Sequence, residues 1–378
     1  MFRCEEVSMK IMGRHFYADE RLYLTYSGSE VGFFFSGDHL EMDVYSDKMS
    51  IMPTLKASMA CLVEGDEEPF MRTVLEPGTQ RVVVFDRAAY AAKKGVEANS
   101  LPEKMALHVI KLSEAAFGAL AIEGIFCDDK NQLEALPEKK LKIEYIGDSI
   151  TCGYGVEGVL EKDEFTTAQE NPLKSFSIQS AMRLEADYQL CSWSGIGVIS
   201  KYIPPEVDEP DTEVLIQEIY PYADLKMQER LKMEPALWEF GSFVPDIIVL
   251  NIGTNDASYT REKPDREAYY ADTMKKFIGL IHEKNHSAKL VFAYGVMDHT
   301  LCPVIAKMIE ELKAEGHNYL YYVELPEQNE ADGMGTDFHP SAVTQTKTGK
   351  IVADFIHEKV LSQLGRREEW NNRTIEHL

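Results

Sequence analysis

The sequence has no stretch of about 18 uncharged apolar residues, the length a membrane-spanning helix needs. Basic residues are scarce: 39 Lys and Arg stand against 63 Asp and Glu, a formal net charge of -24. Sequence-independent binding to nucleic acid or to an anionic membrane requires clustered Lys and Arg, so neither is expected as a partner. The six cysteines, Cys4, Cys61, Cys127, Cys152, Cys191 and Cys302, form no CxxC pair and no Cys/His cluster at zinc-ligand spacing. They read as reduced, mostly core-filling residues, Cys152 included, and neither a metal nor another cofactor is called for. There is no HExxH, P-loop or GxSxG elbow, which leaves a metalloprotease, an NTPase and a standard α/β-hydrolase without support. Internal repeats and low-complexity tracts are missing as well. Met1-Phe2-Arg3-Cys4-Glu5-Glu6 puts acids where a signal peptide carries its apolar segment, so a cytoplasmic location is expected.

What the sequence does contain falls into two textures, and 378 residues are more than one core usually covers. Residues 1–138 hold short segments rich in aromatic and β-branched residues, at 20–26, 31–35, 39–45, 80–85 and 105–112, separated by Ser-Gly and Gly-Asp turns. That pattern predicts an antiparallel sandwich with no catalytic constellation; His15, His39 and His108 lie among strand residues as core or rim side chains. Polar residues 128–140, with Pro137, mark the boundary.

Residues 139–378 alternate between strand and helix: strands at 142–147, 188–191, 245–251, 289–294 and 318–325, helices at 172–185, 266–283 and 341–364. Near-continuous apolar strands between helices predict an α/β domain with a parallel sheet covered on both faces. Residues 202–222, rich in Pro and Glu, read as an insertion that could wall a cleft.

Unusual residues follow three of the predicted strands: Gly147-Asp148-Ser149-Ile150, Ser192-Trp193-Ser194-Gly195-Ile196-Gly197 and Gly253-Thr254-Asn255-Asp256. A fourth block, Gly335-Thr336-Asp337-Phe338-His339-Pro340-Ser341, precedes the last helix. In a doubly wound sheet, neighbouring strands open their carboxyl ends on one crevice, where such blocks can converge. Gly153-Tyr154-Gly155-Val156-Glu157-Gly158 fits G-x-G-x-x-G, but it begins six residues past the strand end. A polar run follows it rather than a helix to hold a pyrophosphate, so nucleotide binding is not expected.

With Ser, Gly, Asn and His blocks in that order, residues 141–365 resemble the SGNH, or GDSL-type, hydrolase superfamily. The preceding sandwich, the phrase GDSITCGYG and the D-x-H-P-S ending resemble carbohydrate esterase family 2. That resemblance implies a three-layer α/β/α domain behind an N-terminal jelly-roll, and removal of acetyl groups from plant polysaccharides or oligosaccharides such as xylan and mannan. The chemistry accords with the residue types. A serine hydroxyl needs an adjacent base, for which His339 is the candidate to Ser149. A tetrahedral oxyanion needs pre-placed donors, which the Ser149 and Gly195 backbone N–H groups and the Asn255 side chain could supply. Each residue also has a structural alternative: Ser149 as a helix cap, Gly195 as a strand-end glycine, Asn255 as a turn former, His339 as a satisfied histidine.

Asp337 is the remaining catalytic candidate. The superfamily pattern is D-x-x-H, yet Thr336 occupies that position and Asp337 lies two residues before His339. The esterase resemblance offers a backbone carbonyl in its place, and both arrangements stand open. Trp193, Tyr259 and Phe338 flank the blocks and are candidate sugar-stacking residues. Two competing readings are a GDSL-type short-chain lipase or thioesterase acting on a non-sugar ester, and a carbohydrate-binding protein with a vestigial site. Oligomeric state is left open.

Overall fold

A computed structural model describes residues 1–364, so the part of the second predicted domain at 365–378 lies outside the described residues. The N-terminal strands are β1 (Lys10–Met12), β2 (His15–Ala18), β3 (Arg21–Leu24), β4 (Glu30–Phe35), β5 (His39–Ser46), β6 (Ser58–Val63), β7 (Met71–Val74), β8 (Gly78–Asp86), β9 (Met105–Lys111), β10 (Leu120–Phe126) and β11 (Leu133–Ala135). They build two antiparallel sheets, ordered β1-β4-β9-β6-β7 and β2-β3-β10-β5-β8. In β5, alternate residues Leu40, Met42 and Val44 are buried, the period-two pattern of a strand with one face on a core. Phe33, Phe35 and Leu107 meet them in the space between the sheets. The three histidines are held locally, His15 at the Gly13 carbonyl, His39 by Asp86 and His108 by Glu30. The predicted linker is not wholly irregular: Leu133 is drawn into the sandwich core, and β11 pairs with β4.

The second region is a parallel sheet of β12 (Lys142–Gly147), β13 (Asp187–Ser192), β14 (Ile247–Asn251), β15 (Lys289–Gly295) and β16 (Leu320–Leu325), ordered β13-β12-β14-β15-β16. The helices in chain order are α1 (Arg87–Lys94, on the sandwich), α2 (Ser149–Cys152), α3 (Phe176–Arg183), α4 (Ile216–Ile219), α5 (Leu225–Arg230), α6 (Thr254–Thr260), α7 (Pro264–Lys284), α8 (Cys302–Ala314) and α9 (Ala342–Phe355). Ile143 and Tyr145 face α3 and α9, whereas Ile146, Ile248 and Leu250 face α7 and α8, so apolar strand residues are covered on both sides. The helix expected over 172–185 is split. Ser175 is extended between a 3₁₀ turn at Pro172–Lys174 and α3.

The strand order reverses at β12, whose two neighbours, β13 and β14, both follow it in the chain. In an open parallel sheet this switch point is where the strand ends part and leave a crevice. Gly147 pairs with both Ser192 and Asn251, so three carboxyl ends lie level there.

The sandwich is docked on this layer by apolar contact. Met12, Leu62 and Ile110 pack with Ile178 and Leu184, and Phe16, Tyr23 and Ala121 pack with Met227, Trp238 and Phe243. Between these patches the buried Arg14 guanidinium donates to the Tyr220 and Tyr222 carbonyls at 2.5 and 2.8 Å and pairs with Glu144 of β12 at 3.1 Å. A buried charge left unpaired would cost several kcal/mol, so these partners fix the docking geometry. The reading of 202–222 as a cleft wall fails for its last part, where Ile216, Ile219 and Tyr220 are buried in the core. Its start lies largely exposed against the Gly195 block, with the Tyr202 N–H donating to the Gly195 carbonyl.

Candidate active site

β12 ends at Gly147, where only glycine fits: a Cβ would lie 2.1 Å from Thr151 Oγ1 and 2.7 Å from the Asn251 carbonyl. Asp148 follows as the cap of α2, its Oδ1 accepting the Ile150 N–H at 3.0 Å. Ser149 opens this single turn, and Gly153 closes it in the left-handed region at φ 77°. The turn thus presents a nearly buried serine, 7% exposed, at the mouth of the switch point. Cys152 is packed beneath it, fully buried, with Sγ 3.2 Å from Ser192 Oγ.

The Ser192–Gly197 block turns back over the end of β13. Gly195 has φ 78° and its Cβ position faces open space, so conformation and not crowding calls for glycine. Its carbonyl accepts the Tyr202 N–H at 2.9 Å. Asn255 and Asp256 lie on α6, which starts beyond β14. Asn255 Nδ2 donates to the Ile196 carbonyl at 2.8 Å and makes a long 3.4 Å contact to Asp148 Oδ2. One amide therefore ties together the segments that leave β12, β13 and β14. Of its two N–H groups, the one on the long contact is the less committed. Asp256, which sequence reasoning named only as a companion of Asn255, is fully buried and accepts from Val198, Ile199 and Ser200 N–H at 2.7 to 3.1 Å. Burial pushes its carboxyl up to about 6, against the lowering effect of those bonds. Burial likewise raises Asp148 to about 7.

The histidine block folds on itself. The Gly335 N–H donates to the His339 carbonyl at 2.8 Å, and the Thr336 N–H donates to the Gly155 carbonyl at 3.1 Å, which joins the block to the serine turn. Asp337 and Phe338 take left-handed angles, φ 53° and 61°. This twist turns two carbonyls onto the imidazole: His339 Nδ1 lies 3.2 Å from Thr336 O and 3.1 Å from Asp337 O. Both are acceptors, so Nδ1 carries the proton and Nε2 keeps its lone pair. Burial lowers the His339 pKa, and the two carbonyl bonds oppose that shift.

Asp337 as a carboxylate partner of His339 is corrected by this geometry. Its Oδ2 accepts the Tyr154 hydroxyl at 2.9 Å, and its backbone carbonyl, not its side chain, meets the imidazole. Tyr154 was legible only as part of the glycine-rich turn. Its ring lies 4.4 Å from His339 and stacks on Phe165 at 3.7 Å, and its backbone N–H donates to the Ser149 carbonyl at 3.1 Å. It is a second link between the serine and histidine blocks, beside the Thr336 N–H bond to Gly155. The aromatic candidates separate as well. Phe338, beside His339, is 61% exposed; Trp193 is half-buried against the core. Tyr259 packs on the core with the Arg266 guanidinium 4.2 Å above its ring, which leaves it poorly placed to stack on a ligand. The G-x-G-x-x-G stretch is an irregular turn, followed up to residue 170 by no α-helix and only a 3₁₀ turn at Thr167–Gln169.

The model of the GDSL-like lipase/acylhydrolase family matches residues 145–346. Among curated proteins, the chain is 27% identical over 341 residues to the cellulase/esterase CelE of Acetivibrio thermocellus, covering 87% of this chain and 37% of that protein. It is also 27% identical to an acetylxylan esterase/glucomannan deacetylase of Cellvibrio japonicus, covering 74% and 78%. The chain thus spans little more than a third of the first relative's length. A family two carbohydrate esterase from Clostridium thermocellum, solved in complex with cellohexaose, superposes with a TM-score of 0.77 at 26% identity, covering 93% of this chain and 99% of that one.

Proposed function

As the chain belongs to the GDSL-like lipase/acylhydrolase family, we propose that it is a carbohydrate O-acetyl esterase working through an acyl-serine intermediate. The observation that carries this reading is the extent of the likeness to the cellohexaose-bound esterase, which includes the sandwich as well as the parallel-sheet layer.

Ser149 Oγ attacks the acetyl carbonyl carbon while His339 Nε2 takes its proton. The Thr336 and Asp337 carbonyls hold Nδ1–H and favour the imidazolium that forms, so the pair works as a dyad with backbone in place of a third side chain. The developing oxyanion is received by the Ser149 and Gly195 N–H groups and by the Asn255 N–H that makes the long contact. Such donors act strongly because they are already oriented in a water-poor site. Collapse expels the sugar oxygen, which takes the proton from His339. The same imidazole then activates water to release acetate from Ser149.

The substrate is an acetylated oligosaccharide or polysaccharide, with Phe338 as the exposed ring beside the reacting centre. The test is acetate release from acetylated xylan and acetylated glucomannan, with an aryl acetate control and Ser149→Ala alongside. Release from the sugars by wild type alone is expected. Turnover of the aryl ester with none on either sugar would keep the serine mechanism and move the substrate to another acyl ester.

A further inference from the structure

The loop that joins β9 to β10, residues 112–119, belongs to the sandwich, yet two of its side chains enter the crevice of the parallel-sheet layer. Glu114 is fully buried, and its Oε2 accepts the N–H of Ser194 at 2.6 Å. Ser194 directly precedes Gly195. The peptide that carries the Gly195 N–H is therefore bracketed, by Glu114 on one side and by Tyr202 N–H on the Gly195 carbonyl on the other. Three residues further along, Phe117 lies 5.9 Å from Phe165, which stacks on Tyr154 next to His339. One sandwich loop thus reaches both the donor side and the base side of the site.

The loop is itself rigidly held. Lys111 Nζ donates to the Ser113 and Glu114 carbonyls, and Arg230 donates to the Phe117 carbonyl at 2.9 Å. The Gly118 N–H donates to Leu55 O at 2.8 Å, and a Cβ on Gly118 would collide with Ser50 and Ala57. By contrast, Glu114 is poorly placed for stability alone. Its Oε1 has no hydrogen-bond partner among the described residues, and a second buried carboxylate, Glu170, and Cys152 have ligand atoms within 4.8 Å. Burying a carboxylate with so little compensation is costly, and residues that break such rules are typically found where function requires them.

We propose that Glu114 is a positioning residue of the esterase site: from the sandwich, it aims the Gly195 N–H at the developing oxyanion by holding the Ser194 N–H. This rests on the serine-esterase reading above. It gives the sandwich a part in catalysis.

The test uses an aryl acetate and an alkylboronic acid, which forms a tetrahedral anionic adduct on the serine. Glu114→Leu removes the acceptor; Glu114→Asp keeps the charge but is too short to reach Ser194; Glu114→Gln keeps an acceptor at full length. Leu and Asp are each expected to lower kcat about 10- to 100-fold, short of the 10²- to 10³-fold of losing a donor outright, with KM little changed. Boronate affinity falls in parallel, and Gln restores most of both. Should the Leu variant not fold, the ranking of Gln above Asp still decides, since a role for the buried charge alone predicts the reverse order. Asp at least as active as Gln, or kcat and boronate affinity unchanged while only Tm moves, would overturn the proposal. Ser149→Ala tests the serine reading by itself: full turnover there would sink that reading whatever Glu114 does.

Discussion

The two halves of the site are built on opposite plans. Ser149 and Asn255 are each 7% exposed and each follows a strand of the sheet. Their surroundings are tied by side chains to backbone: Asp148 to Ile150, Asn255 to Ile196, Asp256 to three successive N–H groups, Glu114 to Ser194. His339 follows no strand. Its neighbours Asp337 and Phe338 are exposed, and the ring is held by carbonyls of its own segment, brought into place by two left-handed residues. A base needs only an oriented Nδ1–H, which a folded backbone can supply; an oxyanion needs several donors aimed at one point, which only a rigid frame can supply.

If that contrast is right, His339→Ala will cost the most, at least about 10⁴-fold in kcat, because the base itself is removed. A residual rate near wild type on an aryl acetate would break the comparison at its centre. Asn255→Ala is expected to lower kcat about 10²- to 10³-fold, the range for losing one oxyanion donor. Because the same amide ties three strand ends together, its melting temperature should fall as well. A drop in stability without loss of kcat would make Asn255 a clamp only.

Asp337→Ala will cost no more than about tenfold, the worth of one hydrogen bond, since the carbonyl that meets His339 remains. A loss equal to that of His339→Ala, in a folded variant, would restore the carboxylate as a catalytic partner. Phe338→Ala is expected to raise KM about fivefold on acetylated oligosaccharide and to leave the aryl acetate unchanged, in line with about 1 kcal/mol for an aromatic contact. The smallest effect sharpens the picture of the base. Burial lowers the His339 pKa, so the imidazole stays neutral, and active as a base, to lower pH than a free histidine. The acid limb of kcat/KM should then fall below pH 6.5, the ordinary value; a limb above it would mean that an acidic partner holds the ring charged.

Much of this was legible in the chain. Strands such as 142–147 and 245–251 carry the apolar runs that a doubly covered sheet demands, and the glycines at 147, 195 and 253 mark where strands end. Local signals of this kind need no knowledge of neighbours. Tyr259 shows where they stop: flanking the Asn block made it a ligand candidate, but Arg266, seven residues on, covers its ring. Asp337 shows the same, because spacing says nothing about a φ of 53° that sends its carboxylate to Tyr154, 183 residues away. Glu114 gave no signal at all, as its partner lies 80 residues further along and in the other layer.

Periodicity and turn chemistry within a few residues were enough to read two textures, five strands of the parallel sheet and the four blocks that carry serine, glycine, asparagine and histidine. They did not reveal the strands at 58–63 and 120–126 or the helix at 302–314. That β12 lies between β13 and β14, which puts the three blocks level at one switch point, emerges only from the packed sheet. Tertiary packing also has backbone carbonyls orient the histidine, and brings a sandwich loop to the donor side. Each of these depends on which surfaces are buried against each other, a property of the packed chain rather than of any window within it.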